Sequence, residues 1–188
     1  MLREVPFGTK VEGKRDGAFI VFTMWARIYE NYDDPTMTEE YRNSLFPLVL
    51  MMLRWDGAVG FVGGFVESGR SIVEQALCEA DEEVGVNTDE APLRPLVAHE
   101  TDRMVVNLFQ SDADGDPCEW IEMAAMADHS VAEGNAFWAH LADYGNGAGW
   151  ERLRSSNSLS TAVGEELDAV RAWMYANAPK GAYMGPTP

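Results

Sequence analysis

Gly63-Gly64-Phe65-Val66-Glu67-Ser68-Gly69-Arg70-Ser71 runs without a break into Ile72-Val73-Glu74-Gln75-Ala76-Leu77-Cys78-Glu79-Ala80-Asp81-Glu82-Glu83-Val84-Gly85-Val86. The second half carries Ile72, Ala76, Ala80 and Val84 at the spacing of one apolar helix face, which predicts a helix over about Ser71 to Val84. Ser71 and Glu74 fit a capping box at its start, and Gly85 supplies a left-handed stop. Ahead of it, Gly63, Gly64 and Gly69 give a loop whose backbone reaches conformations closed to other residues. A glycine loop entering a carboxylate-bearing helix is the feature on which the rest of the reading turns.

Glu79, Glu82 and Glu83 stand at i, i+3 and i+4, so their side chains crowd one side of the helix against mutual repulsion. A solvated acidic face is the commoner origin of such a triplet taken alone. Joined to the glycine loop, it points instead to a hard divalent cation, which takes oxygen ligands and bridges carboxylates to phosphate oxygens. His99, His129 and His140 are too scattered for a zinc motif.

Working outward, Ala18 to Trp25 and Phe46 to Leu53 read as buried strands pairing in one sheet. Leu96 to Ala98, Arg103 to Gln110 and Ala136 to Leu141 are further strands, making the sheet mixed. A second helix is expected from about Ser160 to Ala176, packed into the core through Leu167, Val170, Trp173 and Met174. Glu30 to Arg42, Asp112 to Asp116 and Tyr144 to Gly149 read as surface loops.

The 188 residues suit one α/β domain spanning 1–188, and the 46% apolar content lies in the globular range with no run long enough for a membrane span. With Cys78 and Cys118 its only cysteines and no secretory core at the N-terminus, a reducing, cytoplasmic setting is expected. A net charge of −17 opposes indiscriminate binding to nucleic-acid backbones. It leaves room for a small phosphorylated ligand, since a bound cation reverses the local sign.

The stretch resembles the Nudix box, G-x5-E-x7-R-E-U-x-E-E-x-G-U with U aliphatic, registered on Gly64 and ending at Val86. Gly64, Glu79, Ala80, Glu82, Glu83, Gly85 and Val86 match, while Arg70 stands where the pattern has Glu and Cys78 where it has Arg. Those two positions in the family support loop and helix by a charge interaction, so their joint change reads as a rebuilt support, or as a catalytically dead relative. Leu53-Arg54-Trp55-Asp56-Gly57-Ala58-Val59-Gly60-Phe61-Val62 is similar to the entry into the box in the branch of inosine-diphosphate hydrolases and small-nucleolar-RNA decapping enzymes. Asp128-His129 with Glu133, and Asn157-Ser158, carry a weaker similarity.

The resemblance implies a Nudix fold, a mixed sheet between helices with the box at its edge. It also implies Mg2+ or Mn2+ as cofactor and hydrolysis of a phosphoanhydride bond in a nucleoside diphosphate-linked substrate. The Gly63 carbonyl with Glu79, Glu82 and Glu83 would hold the metal; Glu82, Glu83 or Glu133 would serve the attacking water; Arg54, Phe61 and Asn157 would line the nucleotide pocket. Trp25 is a further candidate for stacking a base, against the commoner reading of a core tryptophan. The branch's purine-contacting His near the first strand has no counterpart in Phe22 to Ala26. Candidate ligands are a small-molecule nucleotide and a capped or 5'-modified RNA end, the latter received on Lys10, Lys14, Arg15 and Arg54. Membrane partners are not expected, and assembly as a homodimer is compatible with the sequence. The competing functions are a catalytically weak or inactive module binding a nucleotide or RNA end, and an interaction protein using its acidic surface.

Overall fold

The computed structural model describes residues 2–30, 35–54, 56–86, 92–127, 135–141, 153, 155, 158–160 and 162–184. Its strands are β1 Arg3–Glu4, β2 Arg15–Ala26, β3 Phe46–Leu53, β4 Val59–Gly60, β5 Val62–Phe65, β6 Arg94–Glu100, β7 Met104–Asp112 and β8 Ala136–His140. The helices are α1 Glu39–Arg42, α2 Ile72–Val84, α3 Pro117–Met126 and α4 Val163–Ala176.

Strand β2 organises the sheet because its 12 residues exceed what any one neighbour covers. Along one edge it runs parallel to β7, from Arg15↔Met104 to Thr23↔Asp112. Its other edge is divided: Gly17 to Ile20 pair antiparallel with β5, and Thr23 to Ala26 pair antiparallel with β3. The mixed sheet has the order β1-β6-β7-β2-β3-β4, with β5 on β2 and β8 on β3. The box therefore enters from β5, which among the described residues pairs with the central β2 alone and so stands at an edge of the sheet.

Alternation along β2 gives each face its own core. Ala18, Ile20, Phe22 and Met24 meet Ala76, Ala80 and Val84 of α2 and Trp120 and Ala124 of α3. Val21 on the opposite face joins Leu167, Val170 and Met174 of α4. The sheet thus lies between helices, as expected for a Nudix fold.

Helix α2 forms where the sequence placed it. The Glu74 amide donates to Ser71 Oγ at 3.1 Å, the Ser71 amide donates to Glu74 Oε2 at 2.7 Å, and Gly85 takes φ 68°. Ser71→Ala should cost about 1 kcal/mol. That loss lowers the melting midpoint by about 2–4 °C for a chain of this size; an unchanged thermal melt would show the box to be dispensable.

Four elements depart from expectation. Helix α3 was not expected and follows directly on the acidic loop, with Asp116 as N-cap accepting from the Cys118 amide at 2.9 Å and Pro at the first turn. The short α1 lies inside the supposed loop Glu30 to Arg42. Gly63 and Gly64 belong to strand β5 rather than to a loop. Helix α4 begins at Val163 rather than Ser160, because Ala162 ahead of it is left-handed, with φ 73°. Tyr144 to Gly149 lie outside the described residues.

Candidate active site

Two glycines dock the carboxylate helix onto the central strand. Gly63 has φ 137°, and a Cβ there would overlap the Ala18 carbonyl oxygen and stand 2.6 Å from Phe19 Cα, so only glycine lets β5 lie this close to β2. Its amide donates to Glu83 Oε2 at 2.8 Å, tying the strand to α2. At Gly64 a Cβ would collide with the Glu79 carboxylate, standing 2.9 Å from its Cδ. The absence of side chains at 63 and 64 is what lets both glutamates reach the strand.

Beside this junction opens a cavity of about 920 Å³. Gly63, Gly64, Glu79 and Glu83 form part of its wall, together with Arg54 and Phe61 from the approach to β5. The sequence-predicted residues Arg54, Phe61, Gly63, Glu79 and Glu83 are thus brought together. Glu82 is not among them: it is exposed, and its Oε1 accepts from the Cys78 thiol at 2.9 Å. Trp25 is also elsewhere. It is half-buried on the α4 side of the sheet with its ring centroid 6.1 Å from that of Tyr175, packed against the core there and not among the residues that line this cavity. Glu133 and Asn157 lie outside the described residues.

The four cations expected to form a basic patch, Lys10, Lys14, Arg15 and Arg54, each have a partner within the fold. Lys10 pairs with Asp16, Lys14 with Glu100 at 2.8 Å, and Arg54 with Asp56 at 3.5 Å, while Arg15 lies 3.5 Å over the Phe65 ring.

Sequence reasoning missed two parts of the cavity wall. The turn from Thr101 to Met104, between β6 and β7, contributes Asp102 and Arg103. The start of α4 contributes Val163, Glu165 and Glu166. Glu166 is buried because it shares the apolar side of the helix with Val163 and Val170, at i−3 and i+4; that spacing was legible.

The donors at the box junction fit a hard divalent cation. Among the described residues no group of three His, Cys, Asp or Glu side chains is placed to hold a metal, so the triplet is not gathered into one ligand set. Glu79 and Glu83 nevertheless share the cavity wall with the Gly63 backbone. Magnesium typically takes only one or two protein carboxylates and completes its shell with water and phosphate oxygens. Two carboxylates in a cavity open to a ligand satisfy that requirement, and no cysteine or histidine is among the described residues that line it.

Glu166, in the cavity wall, belongs to a buried ionisable pair with His99. His99 Nδ1 of β6 stands 3.7 Å from Glu166 Oε1, and neither atom has a hydrogen-bond partner. The Glu166 carboxylate raises the His99 pKa above its ordinary 6.5, helped by Glu4 and Glu165 and opposed by burial. Burial raises the Glu166 pKa above 4.5, opposed by His99. Both shifts are upward, so the folded state holds these protons more tightly than the unfolded chain. Their contribution is complete below the unfolded values, starts to fall above 4.5 for Glu166 and above 6.5 for His99, and is lost as pH rises through the folded values. The thermal midpoint should therefore decline as pH rises from 6.5 toward 8.5, and Glu166→Gln should flatten that slope. A profile identical in wild type and variant would contradict the pairing.

Comparison with known proteins follows the same lines. The family model described as Nudt16-like, U8 snoRNA-decapping enzyme-like, matches residues 23–132. No curated protein matches the sequence. Among solved structures, a mutT/nudix family protein from Listeria innocua is 13% identical with TM-score 0.59, covering 87% of this chain and 95% of that one. An Ap4A hydrolase from C. elegans, in a binary complex, is 12% identical with TM-score 0.55, covering 86% and 98%. A Bacillus subtilis pyrophosphohydrolase is 12% identical with TM-score 0.55, covering 96% and 92%. At such identities the structures speak for the fold, whereas the family model spans more than half of the chain. The chain belongs to the Nudt16-like, U8 snoRNA-decapping enzyme-like family of Nudix hydrolases.

Proposed function

We propose that this protein is a metal-dependent hydrolase that cleaves a phosphoanhydride bond in a nucleoside diphosphate-linked substrate, either a nucleoside di- or triphosphate or a capped RNA end. One observation carries the reading: Glu79 and Glu83 meet the Gly63-Gly64 backbone in the wall of a cavity of about 920 Å³ that also presents Arg54 and Phe61. That volume accommodates a nucleotide, and the mixture of two carboxylates, a guanidinium and an aromatic ring matches phosphate, metal and base in one ligand.

When bound, Mg2+ or Mn2+ neutralises phosphate oxygens and acidifies coordinated water. Glu79 and Glu83 would hold that ion, with the Gly63 carbonyl as the backbone donor. The Gly63 amide keeps Glu83 in place by its 2.8 Å hydrogen bond, so the carboxylate is oriented before a ligand arrives. Arg54 would bind the phosphates by charge-assisted hydrogen bonds, and Phe61 would present an apolar surface to the base. Glu82 would join the site only by releasing its bond from Cys78. Glu133 as a base or ligand and Asn157 as a nucleotide contact enter on the resemblance alone.

A single domain over 1–188, a cytoplasmic setting and a homodimer complete the proposal; among the described residues no helix is long and apolar enough to cross a membrane. The outward position of Glu82 favours one alternative, a module that binds a nucleotide or RNA end with little turnover. Hydrolysis should be assayed across nucleotides, dinucleotides, nucleoside diphosphate sugars and a short capped RNA with Mg2+ or Mn2+. Metal-dependent cleavage lost in Glu79→Gln and Glu83→Gln supports the enzyme and ranks its substrates. Tight ligand binding without turnover would replace it with the binding module.

A further inference from the structure

Gln75 takes no part in the family resemblance, yet it is only 3% exposed and every one of its side-chain hydrogen bonds leads toward the box. Its Oε1 accepts from the Glu67 amide at 3.1 Å and from Arg70 Nη1 at 3.4 Å. Its Nε2 donates to Glu79 Oε1 at 2.7 Å. The orientation of the amide is dictated by its partners: a backbone N–H at Glu67 requires the oxygen on that side, leaving the nitrogen for the carboxylate.

The Glu79 carboxylate is confined twice over. Gly64 leaves it room only because it lacks a Cβ, and Gln75 fixes Oε1 from the helix side one turn earlier. The same Gln75 oxygen is shared with Arg70, which also lies 3.3 Å from Cys78 Sγ and 3.2 Å from Glu67 Oε2. The two residues that depart from the Nudix pattern, Arg70 and Cys78, therefore touch each other, and Gln75 links Arg70 to a carboxylate of the site.

We propose that Gln75 is a positioning residue that transmits the conformation of the Glu67–Arg70 turn to Glu79, holding that carboxylate in the orientation that receives a divalent cation. The inference rests on the metal-dependent reading above. The Gln75 donor uses one lone pair of Oε1 and so fixes the direction in which the carboxylate lies. Without it, binding would first have to freeze the side chain. Residues that orient a metal ligand in this way typically alter affinity by about 10- to 100-fold when removed.

The test is Mn2+ binding to the full chain, followed by the paramagnetic resonance of free Mn2+, for wild type, Gln75→Leu, Gln75→Glu and Glu79→Gln. Gln75→Glu keeps the size of the side chain but sets a carboxylate against Glu79, so it decides the matter if Gln75→Leu fails to fold. Both variants should bind Mn2+ about 10- to 100-fold more weakly. Hydrolysis should recover toward the wild-type kcat as Mn2+ is raised, a rescue that a merely structural defect would not show. If wild type binds Mn2+ and loses it in Glu79→Gln, while folded Gln75 variants bind as tightly as wild type, the positioning role is overturned and the metal reading stands. If wild type itself fails to bind Mn2+, the metal reading falls and takes the role of Gln75 with it.

Discussion

Glu83→Gln lowers kcat/KM by roughly 100- to 10,000-fold, the range over which a positioned charged group acts on proton transfer and water activation. Glu83 is 5% exposed, its Oε2 accepts from the Gly63 amide, and it lies in the wall of the cavity. Glutamine keeps the size and an oxygen to accept that amide, so the helix stays docked while the negative charge disappears. Stability should hold or rise slightly, because a buried carboxylate is costly to keep ionised. Circular-dichroism melts beside steady-state kinetics separate the two effects. Glu82→Gln is the informative companion, since Glu82 is exposed and bonded to Cys78. A much smaller loss there supports the observed geometry, while an equal loss would mean that Glu82 turns inward during turnover.

The largest stability loss is expected from Gly63→Ala, at about 3–5 kcal/mol in urea unfolding. Two costs combine at this position. Alanine is strained at φ 137°, and its methyl would be driven into the backbone of Ala18 and Phe19, including Phe19 Cα at 2.6 Å. That backbone cannot give way, because β2 is held parallel to β7 on its far edge. Gly69 provides the control: its φ of 91° also disfavours alanine, but nothing lies within 4 Å of a Cβ there. Gly69→Ala should cost only about 1 kcal/mol. Equal losses at 63 and 69 would place the cost in conformation alone and remove the close approach as its cause.

Elements whose stability is encoded locally were the ones legible in the sequence. Helix α2 announced both ends through Ser71, Glu74 and Gly85, and each was found in its role. The apolar runs of β2 and β3 paired as read because a strand buried on both faces needs little beyond continuous hydrophobicity. Strand β5 was hidden because Gly63 and Gly64 disfavour a strand by propensity; tertiary contact with Ala18 and Phe19 overrides that preference. The start of α3 was written in Asp116-Pro117, an N-cap followed by a residue suited to the first turn, and went unread behind an acidic stretch.

At the site, Glu79 and Glu83 followed from a motif, and Arg54 and Phe61 from the resemblance around it. Asp102, Arg103, Glu165 and Glu166 did not, because they come from distant segments that only the closed sheet brings to the cavity. Gln75 lay in plain view one turn before Glu79, but a neutral side chain gives no sign of its role until its partners are placed. The direction taken by Glu82 was likewise a matter of rotamer rather than spacing.

The divided edge of β2 also orders events during synthesis. Its partners β3 and β5, and the helix α2 that follows them, all precede β6 and β7 in the chain and emerge from the ribosome first. Glu79 and Glu83 can therefore meet Gly63 and Gly64 on a nascent chain. The part of the cavity wall built by Val163, Glu165 and Glu166 waits for α4, which follows β8 in the chain. A polypeptide that stops before α4 would carry Glu79 and Glu83 against Gly63 and Gly64 without Val163, Glu165 and Glu166 to complete the cavity wall.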